Sequence, residues 1–190
     1  MSDRSGKSVP AFGFLTVVEH DELGLFGGYL LLNAAARPLE FHCTAPISPN
    51  RTQEILYGAT LKPYLYGEQI GQALLAKGKV APLVVCTDMQ PILAARDFTD
   101  LPLLLVQAKA GEGHGQDARA TDGIAASLPA TTTFFALSSN RVAAARAYGE
   151  DQDRAVLAWQ AAHLDGFDLL EPFERIREAL LEAQKGARAA

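Results

Sequence analysis

Val80-Ala-Pro-Leu-Val-Val-Cys-Thr-Asp-Met-Gln-Pro-Ile-Leu-Ala-Ala-Arg96 decides the fold class. Its first half is a short apolar run of the kind found in strands buried on both faces of α/β sheets. Its second half takes up a helix-like pattern immediately after Cys86-Thr87-Asp88. Pro82 belongs at the start or edge of such a strand, because it cannot donate to a ladder. Open α/β sheets place their sites at the carboxyl ends of strands, so Cys86, Thr87 and Asp88 are the first candidates for chemistry. Asp88 also stands where a helix N-cap is expected, and a cap of that kind contributes about 1 kcal/mol.

Downstream, Phe98-Thr-Asp-Leu-Pro102 breaks the helix, and Leu103-Leu-Leu-Val-Gln-Ala108 reads as a second buried strand. Strand, short helix and strand form a compact βαβ unit, right-handed if the strands are parallel neighbours. Upstream, Phe12–His20, Tyr29–Asn33 and Leu39–Ala45 are rich in aromatic, aliphatic and β-branched residues. Their connections are too short for parallel crossovers, which predicts an antiparallel three-stranded meander. In the third strand Leu39, Phe41 and Cys43 share one face, and Glu40, His42 and Thr44 the other. Residues 21–28 read as a turn. The pair Gly27-Gly28 lies in no GxGxxG or GxxxxGK[ST] context, so a hairpin or bulge explains it better than a phosphate loop.

Residues 50–57 and about 60–77 predict two helices, with Ser48 as cap and Pro49 in the first turn. Gly67 and Gly71, four apart on the second, predict a close backbone approach, and Tyr57, Tyr64 and Tyr66 cluster in the same region. Further on, residues 131–137 predict a strand, 141–148 a helix capped by Ser138, Ser139 or Asn140, and 151–163 another helix carrying Trp159. In the last helix Phe173, Ile176, Leu180 and Leu181 form an apolar stripe, opposite a face of Glu174, Arg175, Arg177, Glu178, Glu182 and Lys185 that reads as solvated. The fold expected is therefore α/β, a central mixed sheet covered by helices, with a helical C-terminus. One domain over residues 11–185 is expected, with disordered residues 1–10, a mobile loop at 110–123 and a frayed tail from 186.

The 190 residues carry 22 acids against 17 bases, a formal charge of −5. Nucleic-acid binding favours a basic face, so this balance predicts no nucleic-acid partner. No uncharged run approaches the ~20 residues of a membrane span, and no secretory signal is visible. A cytoplasmic chain without a membrane partner is expected. Cys43 and Cys86 form no CxxC and are expected as core thiols.

Three catalytic constellations are conceivable. His20 and His42 end or cross neighbouring strands and could share a metal, although no HExxH or CxxC pair supports it. Cys86 could act as a nucleophile activated by His42 or His20 and oriented by Asp88. Glu40 and Asp88 could work as a carboxylate pair. No cofactor is implied. The reading that these residues favour is a non-catalytic binding or accessory protein, a protein–protein interaction module docking a partner or a second copy through its C-terminal helices. The alternative is a small hydrolase or metal-dependent enzyme using His42, Cys86 and Asp88.

Overall fold

The structure, a computed structural model, describes residues 10–107, 132–137, 140–145, 148–164 and 166–188. It is an α/β fold built on one seven-stranded mixed sheet, in the order β3-β2-β1-β4-β5-β7-β6. The strands are β1 (Ala11–His20), β2 (Gly24–Asn33), β3 (Pro38–Cys43), β4 (Val84–Thr87), β5 (Leu103–Gln107), β6 (Thr132–Leu137) and β7 (Asn140–Ala145). The first three form the expected antiparallel meander. β4 lies parallel to β1 on one side and to β5 on the other, which is the βαβ unit read from the sequence.

Helices cover both faces. On one lie α1 (Arg51–Tyr57), then α2, made of Leu61–Pro63, a π-helical stretch Tyr64–Gly71 and Gln72–Leu75, and α3 (Gln90–Phe98), a 3-10 helix. On the other lie α4 (Glu150–Ala161) and α5 (Glu171–Arg188). Alternation along each strand feeds two cores. Leu15, Val17, Leu31 and Val85 meet Tyr66, Ile70, Leu74 and Ile92. Phe12, Phe14, Leu30 and Cys86 meet Trp159, Phe173, Ile176 and Leu180. Trp159 and Phe173, expected to face a partner, are buried in the chain's own core at 2% and 1% exposure.

Four expectations are corrected. Residues 24–28 are strand and not turn. Gly27 and Gly28 point to opposite faces of β2 and let helices close on both: a Cβ on Gly27 would stand 2.1 Å from Ile70 Cγ2, and one on Gly28 would stand 2.3 Å from Ile176 Cγ2. Residues 140–145 form β7 and not a helix. Val142, Ala143 and Ala144 are buried between β5 and β6, so sheet packing overrides the helical preference of alanine. Asn50 and not Ser48 caps α1, in a capping box with Gln53. Cys43 is exposed on the edge strand, while Cys86 is buried as expected. Gly67 and Gly71 do make the predicted close approach, to Ala94 and Ala95 of α3. Loop 110–123 lies outside the described residues, as do residues 1–9.

A charged clamp ties α4 to this frame. Arg96 of α3 binds Asp151 of α4 through Nε (2.8 Å) and Nη2 (3.1 Å), with the two side chains 7% and 1% exposed. Asp151 also accepts the N–H of Leu103 at the start of β5. The bidentate geometry and the extra donor offset the desolvation of both charges.

Gly28→Ala is expected to destabilise the fold by about 1–3 kcal/mol, because a methyl there must displace Ile176 and Leu180 of α5. Chemical denaturation measures this; an unchanged midpoint would show that α5 yields freely.

Candidate functional site

β1 is an inner strand, antiparallel to β2 on one side and parallel to the central strand β4 on the other. The sheet changes from antiparallel to parallel pairing at this strand, and the carboxyl end of β4 lies beside the middle of β1, which runs on to His20. Sheets of this kind bind ligands at such a position. Register pairs Leu15 with Thr87, which brings the next residues, Thr16 and Asp88, together. Thr16 is fully buried, and its Oγ1 donates to Asp88 Oδ1 at 2.7 Å. The second carboxylate oxygen, Oδ2, accepts a short hydrogen bond from Arg177 Nη2 of α5. The Asp88 side chain is 13% exposed and that of Arg177 is 42% exposed. Arg177 makes no other hydrogen bond among the described residues. The group is thus a buried hydroxyl, a nearly buried carboxylate and a half-exposed guanidinium in series.

Asp88 is not a helix cap. α3 begins after Met89, which has no side-chain cap, and the turn below it is held by Thr87 Oγ1 accepting the Met89 N–H at 3.2 Å. Asp88 reaches sideways to Thr16 instead of forward to the helix.

The other candidates do not join it. Cys86 is fully buried, and burial pushes its thiol up to about 12, so it stays protonated and inert near neutral pH. His42 lies on β3, opposite Tyr29 and stacked near its ring, with Nε2 2.8 Å from Glu40 Oε2. Glu40 lies opposite Leu31, whose side chain packs in the core on the α2 side, whereas Asp88 turns to the α5 side. Three strand spacings, about 14 Å, separate β3 from β4. His20 stands opposite Gly24 on β2 while His42 stands opposite Tyr29, five residues further along, or roughly 17 Å. His20 Nδ1 accepts from its own turn, at the Glu22 N–H. Among the described residues no three His, Cys, Asp or Glu side chains converge as metal donors. A cleft of about 190 Å³ between α2 and α3, lined by Gln72, Leu75, Ala76, Ala95, Phe98 and Thr99, includes none of the candidates.

Two polar groups away from the site are structural. Tyr66 donates a short hydrogen bond to Glu19 and holds its carboxyl below the usual range against the opposing effect of burial, with Lys62 adding to the lowering. Glu40 accepts the N–H of Lys79 (3.0 Å) and of Val80 (2.8 Å) besides His42, and so fastens the edge strand to the segment leading into β4. The sequence reading missed Arg177, which it placed on a solvated helix face. Its only signal was a cation one residue after the buried Ile176.

No family model and no curated protein matches the chain. Solved structures that are similar include human ENDOV, at 14% identity and a TM-score of 0.45, covering 98% of this chain and 88% of that one. Another is Ciona intestinalis endonuclease V in complex with a 24mer DNA containing an inosine followed by a ribo-adenosine, at 11% identity and a TM-score of 0.44, covering 95% and 90%. The second is an endonuclease with DNA bound. Beside these neighbours the expected non-catalytic protein–protein interaction module and the expected absence of a nucleic-acid partner are corrected, and both are withdrawn. The expected docking through the C-terminal helices falls with them, since Trp159 and Phe173 are core residues. At these TM-scores and identities the likeness transfers no activity and no site residue. Among the described residues no helix is long and apolar enough to cross a membrane.

Asp88→Ala is expected to cost about 2 kcal/mol, since it strands a buried hydroxyl and unpairs Arg177. In a double-mutant cycle with Thr16→Val, denaturant midpoints should reveal a coupling of about 1 kcal/mol; strict additivity would deny the contact. The lowered Glu40 carboxyl sets a pH dependence. Its folded value lies below 4.5, so its contribution is complete above 4.5 and is lost as the pH falls through the folded value. Glu40→Gln should therefore be less stable than wild type near neutrality, with the gap closing in acid. A gap constant with pH would remove Glu40 from the account.

Proposed function

We propose that this chain binds nucleic acid by its phosphodiester backbone at the carboxyl end of β4, beside Thr16 of β1, with Arg177 as the phosphate contact. One observation carries this reading: Asp88 holds one edge of the Arg177 guanidinium, while the rest of that group is half-exposed and makes no further hydrogen bond among the described residues. A guanidinium fixed by a carboxylate presents its remaining N–H fork already oriented, and phosphate oxygens match that fork. The rigidity comes from below. Ile176 and Leu180 are buried against β2, so α5 carries Arg177 on a seated helix.

The overall charge of −5 does not oppose such a contact, because counterion screening confines electrostatics to about 10 Å at moderate salt. It does predict modest affinity, as Glu174 and Glu178 share the helix with Arg177. Asp88 is paired with Thr16 and Arg177, and the reading concerns the binding contact.

Fluorescence anisotropy with labelled DNA oligonucleotides at low salt tests this. Arg177→Ala should weaken binding about five- to tenfold and reduce the salt dependence by about one phosphate contact. Arg177→Lys should recover only part, since lysine keeps the charge and loses the fork. Absence of binding at low salt, or an Arg177→Ala variant equal to wild type, overturns the proposal. Strand cleavage on the same oligonucleotides would show processing in addition to binding.

A further inference from the structure

Proteins that grip a phosphate ester through a divalent cation surround that cation with several oxygen donors, carboxylates foremost. Among the described residues one carboxylate, Asp88, stands where β4 ends beside β1. The place beside it on the neighbouring strand, where a second carboxylate would complete a clamp, holds Thr16. Its hydroxyl donates a hydrogen bond to Asp88 Oδ1 and brings no negative charge to the site. The other oxygen, Oδ2, is taken by Arg177. Glu19, three residues along β1, is committed to Tyr66 and Lys62 of α2. Its partner Tyr66 packs in the core on the face of the sheet opposite α5.

We infer that Arg177 is the built-in cation of this site: it already neutralises Asp88 with a fixed positive charge, and the site meets a phosphate ester directly, without a divalent ion. The positive charge is covalent and sits on a helix anchored by Phe173, Ile176 and Leu180, each at most 2% exposed. A divalent ion at Asp88 would have to sit against the positive charge of a guanidinium that α5 keeps in place. Thr16 is the positioning residue of this arrangement, because its proton fixes which carboxylate oxygen is left for Arg177. The ligand half of the inference rests on the phosphate reading above; the cation half does not.

Two measurements on the full chain separate the halves. In the first, equilibrium dialysis follows Mn²⁺ alone against wild type and Asp88→Asn, with circular dichroism establishing that both are folded. Wild type should take up no stoichiometric Mn²⁺; one equivalent bound by wild type and lost in Asp88→Asn overturns the inference. Should Asp88→Asn not fold, Arg177→Gln replaces it, and a wild-type Mn²⁺ equivalent retained by that variant overturns the inference equally. In the second, oligonucleotide anisotropy is compared in EDTA and in Mg²⁺. Affinities within about twofold support a cation-free contact, and a tightening of about tenfold or more by Mg²⁺ overturns it. Failure to bind the oligonucleotide in either buffer defeats the phosphate reading, and the Mn²⁺ result then decides the cation half by itself.

Discussion

A sheet covered on both faces leaves its inner strands little access to water, and buried polar groups on those strands must find partners inside the protein. β1 meets this constraint with apolar side chains from Ala11 to Val17, with one exception, Thr16. A buried hydroxyl left unpaired costs on the order of 1–3 kcal/mol. The parallel neighbour β4 answers it with Asp88, placed by register one step beyond the Leu15–Thr87 pair. A carboxylate so nearly buried needs a positive partner in turn, and α5 supplies Arg177. The polar chain therefore begins with a demand made by the core and ends at the surface. Its last member is the half-exposed one.

The same frame explains why α5 can supply that partner. Gly28 on β2 leaves a gap one side chain deep, and Ile176 fills it. Gly27 does the same for Ile70 on the opposite face. Two adjacent glycines in one strand thus bring a helix close on each side of the sheet. Arg177 follows Ile176 directly, so the residue that seats the helix also sets the position of the guanidinium. Stability and site geometry share one contact here.

The sequence made the fold legible wherever a signal was local. The meander, the apolar runs of β4 and β5, the close approach at Gly67 and Gly71 and the buried Cys86 all follow from alternation, run length or spacing. β7 was hidden because Ala143 and Ala144 have helical propensity and become strand only through neighbours that pack from both sides. The site was less legible. Asp88 was singled out by its place at a strand end, yet its role was misread as a cap because a helix follows it. Local pattern cannot distinguish a carboxylate that turns forward to the next N–H from one that turns sideways to a strand 72 residues earlier.

Arg177 was illegible for a related reason. Along α5 it sits among Glu174, Arg175, Glu178 and Glu182, and this mixture describes a solvated face. Ion pairs on such a face are usually formed within the helix, three or four residues apart, and contribute little. Arg175 behaves in this way, with Glu171. Arg177 instead binds a carboxylate 89 residues distant and almost buried. Net charge errs in the same direction. A count of 22 acids and 17 bases treats every charge as equally exposed, whereas Asp88 spends its charge inside the protein and Arg177 keeps part of its donor capacity outside. What a surface can recognise depends on which groups remain available after the core has been satisfied, and at the end of β4 that remainder is the exposed part of the Arg177 guanidinium.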